Sequence, residues 1–526
     1  MEHKSYKCMI VGAGTTGLLC AAEFVRQGVP VSDFVIIDSL KEPHRLARGC
    51  SLSPGTIEVL ELYGDVAQQV LENAIHWSNI DFYSEGQPIV KLQNSDELAK
   101  YSKYSYYCSI DQWKTEYFLT KFLADNGVYV ARDISVVQVH DIGDRVQVKL
   151  SNEEIVEVDY LIGADGGKSA VRKQMGIDLK GTSLPNGSVY FHCTTEYNHN
   201  STDTLKYFLS NDGLSYFIPL PNDSYCGVID LTENEEYDYI SKDDQNELLP
   251  IPDKAIENLI HERMFPGFEF KEVLYTSRFR AHYLLAQQYW NGNRVFLAGD
   301  ACHMTSPAHG LGLNYGIHDA LNLGWKLSMV MKGLAGPKLL NTYDEERHRE
   351  GEILVKRTLE MQQTFDVKSD FGKAVRNTIL KYVAPMLPKE QTKFAAVLNT
   401  RYLGSLTVEN SGWLSYLYPG KKLLAGDRIP STLYPTFDSR CNGPSYGYTV
   451  LVFCSGKIPF ILLDVLKTTK LVSAILYGNE TNASQFGVGR EAIFLVRPDG
   501  FIGYRADSFQ IEPCLKYLKA NAQSLH

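Results

Sequence analysis

The chain lacks most of the features that announce a function quickly. None of its ten cysteines stands in a Cys-x-x-Cys pair. Their scatter offers no zinc site and fits a reduced compartment better than a disulfide framework. No apolar run is long enough to span a membrane: YTVLVFCSGKIPFILLDVL is interrupted by Lys457, Pro459 and Asp464. The start, MEHKSYKCMIVGAGTTG, passes straight into a strand pattern, with neither an apolar signal core nor a cleavage site. Basic residues are not clustered, and the net charge of −10 is spread along the chain, which excludes a nucleic-acid-binding face. These absences predict a cytoplasmic protein with no membrane or nucleic-acid partner and no metal centre. With 526 residues the chain exceeds one core, so about three domains are expected.

What is present begins at YKCMIVGAGTTGLLCAAEFVRQGV, which reads as strand, tight turn and helix. Gly12, Gly14 and Gly17 have the G-x-G-x-x-G spacing: one makes the turn, one admits a pyrophosphate, and one lets helix and strand pack closely. Thr16 lies within the same loop. The helix start offers free N–H groups and positive dipole to phosphate. A second strand, DFVIIDSL, carries Asp38 at the distance expected of an acid that takes ribose hydroxyls. These features predict a nucleotide and do not separate NAD from FAD.

Two further segments share the strand–turn–helix pattern. DYLIGADGGKSAVRK places Asp165 inside a glycine turn, with Ser169 as a helix cap. RVFLAGDACHMTSPAHGLGLNYGIHDALNLGWKL ends a buried strand at Gly299-Asp300, runs through a loop almost without large side chains, and enters a helix near Gly312-Leu313-Asn314.

In this order and spacing the three segments resemble the FAD-dependent aromatic hydroxylases of the p-hydroxybenzoate hydroxylase type, the single-component flavin monooxygenases. The resemblance implies that the first segment binds the ADP half of FAD and that Asp165 contacts FAD and helps receive NADPH or NADH. It implies that Asp300 holds the ribityl chain, with Gly310, Gly312, Leu313 and Asn314 beneath the flavin ring. Arg48, with Arg45 second, aligns with an arginine that reaches the FAD phosphates, and Gln112 with a glutamine that contacts FAD. The implied activity is NAD(P)H- and O2-consuming hydroxylation of an aromatic or polycyclic phenolic small molecule through a flavin C4a-hydroperoxide.

The sequence also departs from the family. Gly55 stands where many relatives have Arg. Cys50 replaces an acid that phenol hydroxylases use on substrate. His309 replaces a glycine beside the flavin. It is either a catalytic or substrate-binding histidine or a packed loop side chain, whereas His303 reads as structural.

The fold class expected is α/β: a Rossmann-like FAD-binding domain (1–180, returning at 286–420 with a helical segment), an inserted antiparallel β-sheet substrate domain (181–285), and a C-terminal thioredoxin-like α/β domain (425–526). That last segment, without Cys-x-x-Cys, is expected to serve packing or support a homodimer rather than redox chemistry. Aromatics of the inserted sheet, Tyr207, Phe208, Tyr216 and Phe217 among them, are candidates to line an apolar pocket, and alternation requires about half to face elsewhere. Baeyer–Villiger or antibiotic-inactivating oxygenation, a flavin reductase, and a flavin-binding protein without turnover remain open on the same scaffold.

Overall fold

The structure is a computed structural model that describes residues 4–44, 49–197, 203–237, 250–383, 390–404, 407–410, 423–436, 447–454, 471–478, 483, 485–488, 491–507 and 511–521. Ala131–Arg132, Phe34–Asp38, Lys4–Val11, Ile155–Gly163 and Val295–Leu297 lie parallel, side by side. Met9, Ile10, Leu161, Ile162 and Phe296 are all buried, as strands covered on both faces must be. Val146–Leu150 and Val136–Asp141 extend this sheet in antiparallel fashion.

Register explains why the three sequence segments meet. Val11 is level with Gly163, and Gly163 with Leu297. The chain therefore leaves three neighbouring strands at one height, into Gly12, Ala164 and Ala298. Backbone bonds fasten that edge: Ala164 N–H donates to Val11 C=O at 2.8 Å, Ala298 N–H to Gly163 C=O at 3.0 Å, and Gly12 N–H to Ile37 C=O at 2.8 Å. This is the carboxyl end of a parallel sheet, where open α/β folds hold ligands.

An eight-stranded sheet forms a roof over that edge. Its order is His303–Met304, Glu272–Ala286, Leu179–Thr194, Ser224–Asp230, Gly213–Leu220, Thr204–Ser210, Asn79–Ser84 and Gln87–Gln93. It is wider than the 181–285 insertion. Asn79–Ser84 adds to Thr204–Ser210 in parallel and supplies hydrogen-bond partners to what would otherwise be an open edge. Alternation sorts the aromatics. Tyr207 and Tyr216 face the floor with Trp77, Phe82 and Tyr107. Phe208 and Phe217 face away and pack with Phe265.

The C-terminal sheet runs Val408–Asn410, Ile502–Ala506, Glu491–Val496, Tyr448–Cys454, Val472–Gly478. Val408–Asn410 lies ahead of the expected start at 425 and belongs here because it pairs with Ile502–Ala506. The hairpin turn carries Gly500 at φ +84°, and docks through charge. Buried Arg497 donates to both Glu346 oxygens, at 2.5 and 2.9 Å, and to Asp499, which also accepts from Trp325 Nε1 at 3.0 Å. Cys441 lies outside the described residues.

Candidate active site

A continuous cavity of about 2420 Å³ runs from Asp38, along the three loops, to the aromatic underside of the roof. A small-molecule pocket occupies about 300–1,000 Å³, so this one has room for a long cofactor and a second ligand together.

At one end the glycines do distinct things. Gly12 has φ +101°, and a Cβ there would lie 2.3 Å from Ala164 O; a Cβ on Gly17 would lie 1.9 Å from Gly12 O. Gly14 is open: among the described residues the only atom near its hypothetical Cβ is Glu116 Oε1, at 3.8 Å. Thr16 wedges against Gly299 and Gly316, 2.6 Å from a Cβ on either, and so fixes how closely the Thr15–Arg26 and Gly312–Met331 helices approach. Asp38 accepts from Ala13 N–H at 2.6 Å and Leu40 N–H at 2.8 Å, leaving each oxygen further lone pairs toward the cavity. Gln112 Nε2 donates to Glu116 at 2.7 Å, and the same oxygen accepts from the Thr15 amide and hydroxyl. Burial raises the Glu116 pKa, and these donors oppose the rise.

The second loop is braced internally. Asp165 accepts from Ser169 Oγ at 2.5 Å and from the Ala170 and Val171 amides at 2.6 and 3.2 Å. It thus holds the first turn of the helix Ala170–Gln174 while lining the cavity. Arg172 ties the second loop to the third. It donates to Gly167 C=O at 2.9 Å and Ala301 C=O at 3.1 Å.

In the third loop Gly299 has φ +66°, and Asp300 presents to the cavity a carboxylate that accepts no hydrogen bond from a described residue. Surrounding protein in place of water raises its pKa, and His303 opposes that. Beneath lies a network that sequence reasoning missed. Asp319 accepts from Gly299 N–H at 3.0 Å, pairs with His303 Nε2 at 2.8 Å, and accepts from Arg347 Nε at 2.6 Å. Burial pushes its carboxyl up, but Arg347 and His303 outweigh burial and hold it low. His303 is structural here, as expected. The signal available was a charged residue inside the apolar run NYGIHDALNL.

Beyond Asp300 the chain forms a short turn, Pro307–His309, then Gly310 at φ +62°, ψ +17° and the helix Gly312–Met331. The amides of Gly312, Leu313 and Asn314 carry no hydrogen bond to a described residue, as the first turn of a helix requires. The Asn314 side chain is spent on the protein: it accepts from Ser53 N–H at 2.9 Å and donates to Ser51 C=O and Gly310 C=O at 2.9 and 2.6 Å. The His309 ring lies 6.4 Å from that of Phe365, and neither nitrogen meets a hydrogen-bond partner among the described residues. Burial pushes its pKa down to about 4, against a small opposing effect of the nearby Thr358 backbone, so it is neutral at physiological pH.

Overhead, Trp77 stacks on Tyr107 at 4.6 Å and Phe82 on Tyr207 at 5.2 Å. The Tyr207 hydroxyl donates to Ala308 C=O at 2.6 Å, joining roof to floor. Gly55 is explained locally: a Cβ there would meet Val397 O at 2.4 Å, so no larger side chain fits. Arg48 and Arg45 lie outside the described residues. Among the described residues no group of His, Cys, Asp or Glu could hold a metal ion, and no helix is long and apolar enough to cross a membrane.

Among the described residues, four features of this cradle fit FAD: the opening at Gly14, the unpartnered Asp300 carboxylate, the three free amides at Gly312–Asn314, and a Thr305 hydroxyl buried without a partner. A dinucleotide cradle under an apolar roof defines a class, the FAD-binding oxidoreductases. Within it, the FAD binding domain family matches residues 5–358, and the chain belongs to that family. It is similar to 12-dehydrotetracycline 5-monooxygenase/anhydrotetracycline 6-monooxygenase of Streptomyces rimosus, with 30% identity covering 65% of this chain and 66% of that protein. It is also similar to pentachlorophenol 4-monooxygenase of Sphingobium chlorophenolicum, with 28% identity covering 80% and 75%. The solved aklavinone-11 hydroxylase, in complex with FAD and aklavinone, superposes with TM-score 0.77 at 22% identity over 99% of both chains. The chain is a flavin-dependent monooxygenase of the aromatic-hydroxylase type.

Proposed function

We propose that this enzyme hydroxylates an apolar, polycyclic phenolic small molecule under the roof, with FAD along the floor and NADPH or NADH as reductant. The observation that carries the reading is that one cavity joins the three-loop cradle to the aromatic underside of the roof. Bound FAD supplies the ring that accepts electrons from nicotinamide and activates O2. The chain's residues supply the rest. Gly12, Gly14 and Thr16 would seat the pyrophosphate, and Asp38 a ribose. Gln112 would meet the cofactor beside Gly49, and Asp165 would line the path of the reductant. Asp300 would accept from ribityl hydroxyls. The Gly312, Leu313 and Asn314 amides would face the negative edge of the reduced ring. The roof excludes water and orients an aromatic substrate. His309, neutral, would act there as a hydrogen-bonding group. The test is direct: FAD-loaded protein should consume NADPH or NADH faster when given a polycyclic phenol, and the product should gain one oxygen atom. Fast oxidation without oxygen transfer to any phenol would overturn the reading.

A cytoplasmic setting suits the free, buried thiols. A second copy is the partner we assign to the helix Asp370–Thr378 and the turn after it. Its polar side is turned inward: Arg376 donates to Ser84 Oγ at 3.0 Å and Lys373 to Asn211 at 2.8 Å. Among the described residues, Phe371, Val375 and Tyr382 are exposed. An outward apolar stripe on a helix whose polar side is already satisfied marks a docking face. Sedimentation should show a dimer that Phe371→Glu dissociates.

A further inference from the structure

The two sulfurs of Cys50 and Cys226 lie 3.2 Å apart although the residues are 176 positions apart in sequence. A disulfide bond measures about 2.05 Å, so closing this gap asks for a shift of about 1 Å. The other cysteines whose side chains are described are likewise buried and free. The pair sits on a junction. Cys50 belongs to the floor: its carbonyl accepts from Ile110 N–H at 2.9 Å, it precedes the strand Ser51–Leu52, and it lines the cavity. Cys226 belongs to the roof, in the middle of Ser224–Asp230, level with His192 on one side and Ile218 on the other. Only the Cys50 side meets the cavity wall, so a small oxidant in the cavity reaches Cys50 first and finds Cys226 directly behind it.

We propose that Cys50 and Cys226 form a modification site at which hydrogen peroxide writes a disulfide that joins the cofactor floor to the roof sheet. The Cys50 thiol attacks one peroxide oxygen, the O–O bond breaks, and Cys50 becomes a sulfenic acid as one water leaves. The Cys226 sulfur then attacks the sulfenyl sulfur, the S–S bond forms, and a second water leaves. Two thiols lose their hydrogens and are oxidised by two electrons, while one peroxide is reduced to two waters. Peroxide is what a flavin monooxygenase releases when it spends NAD(P)H and O2 without hydroxylating a substrate. That source rests on the oxygenase function; the site itself does not. The chemistry also explains why a disulfide rather than over-oxidation is the outcome: the resolving thiol is already in contact, so the sulfenic acid is consumed before more oxygen is added.

The experiment treats purified FAD-loaded enzyme with a graded series of added hydrogen peroxide, blocks remaining thiols, and maps peptides without reduction. Added peroxide keeps the result independent of whether any phenol is hydroxylated. The expected product is a linked peptide pair joining Cys50 to Cys226, lighter by two hydrogens and released by dithiothreitol. Cys226→Ser should abolish the link and leave Cys50 carrying added oxygen, and Cys50→Ser should abolish the link without oxidation of Cys226. Oxygen adducts on Cys50 in the wild type with Cys226 still free would overturn the proposal. So would oxidation of other cysteines while this pair remains reduced, or a Cys50 link that survives Cys226→Ser.

Discussion

The two walls of the cavity are built from opposite materials. The floor rests on charge: Asp319, Arg347 and His303 are nearly or wholly buried beneath the Gly299-Asp300 loop and bonded to one another and to its backbone. The roof rests on aromatic contact: Phe82, Tyr207 and Tyr216 of the sheet pack with Trp77 and Tyr107, presenting rings and only a few polar atoms. The contrast has a physical source. A cofactor's phosphates, hydroxyls and ring must meet donors and acceptors at fixed places, and a buried, fully bonded polar network holds a loop in one position. An aromatic substrate asks mainly for a shaped apolar space, which many side chains can provide. Substitutions in the floor should therefore act on cofactor and fold together, and substitutions in the roof on the choice of substrate.

The largest expected effect tests the floor's charge. Arg347→Met leaves Asp319 buried without its main counterion, and breaking such a pair costs about 3–5 kcal/mol. Chemical denaturation should show that loss. A loss below about 1 kcal/mol, the range of exposed pairs, would erase the contrast between the walls. Asp300→Ala comes next and sharpens it. Because Asp300 accepts no hydrogen bond from a described residue, its removal should leave the stability of the cofactor-free protein nearly unchanged. FAD should bind less tightly by about 1.5–3 kcal/mol, the worth of a hydrogen bond to a charged group. Titration of FAD fluorescence against the cofactor-free protein separates the two quantities.

The same contrast governs what could be read in advance. The floor was legible because its chemistry uses glycine spacing and single acids at strand ends, which stand out in sequence. Gly12, Gly14, Gly17, Asp38 and Asp300 reach one sheet edge because the register of three parallel strands brings them there. The supporting layer was not legible. Asp319 and Arg347 are 28 positions apart, and nothing in the helical patterns pairs them. Asp165 is expected to contact FAD, and its three local donors add a second reason for its place in the turn. In the roof, alternation alone leaves the inward side undecided. Only pairing with Ser224–Asp230 and Asn79–Ser84 sets Tyr207 and Tyr216 toward the floor, and the latter strand lies far outside the insertion.

A third effect belongs to the turn Pro307–His309 at the cavity. His309 has its pKa lowered by burial from 6.5 to about 4. Between those values the unfolded chain binds a proton that the folded protein does not. Its contribution is therefore fully present above pH 6.5 and lost as pH falls toward 4. The full shift corresponds to about 3 kcal/mol; with the ring partly open to the cavity, about 2 kcal/mol is expected. Unfolding curves across that window should be steeper in pH for the wild type than for His309→Gln. Equal slopes would mean that the ring stays solvated and protonates freely, and that the loop is not packed against Phe365 as described.

The smallest effect is the most discriminating, because it cuts one hydrogen bond that joins the walls. Tyr207→Phe removes the hydroxyl that donates to Ala308 C=O at 2.6 Å and keeps the ring stacked on Phe82. A neutral hydrogen bond contributes about 1 kcal/mol to stability, so the fold should tolerate the change. The Ala308 carbonyl belongs to the turn that positions Gly310 and, through Asn314, the start of the helix facing the cofactor. If this bond serves the substrate side alone, FAD affinity should stay within about threefold, a shift below 1 kcal/mol, while KM for the aromatic substrate rises more than kcat falls. If instead FAD affinity drops as far as in Asp300→Ala, the roof is part of the cofactor site, and the division of labour between the walls fails at Tyr207.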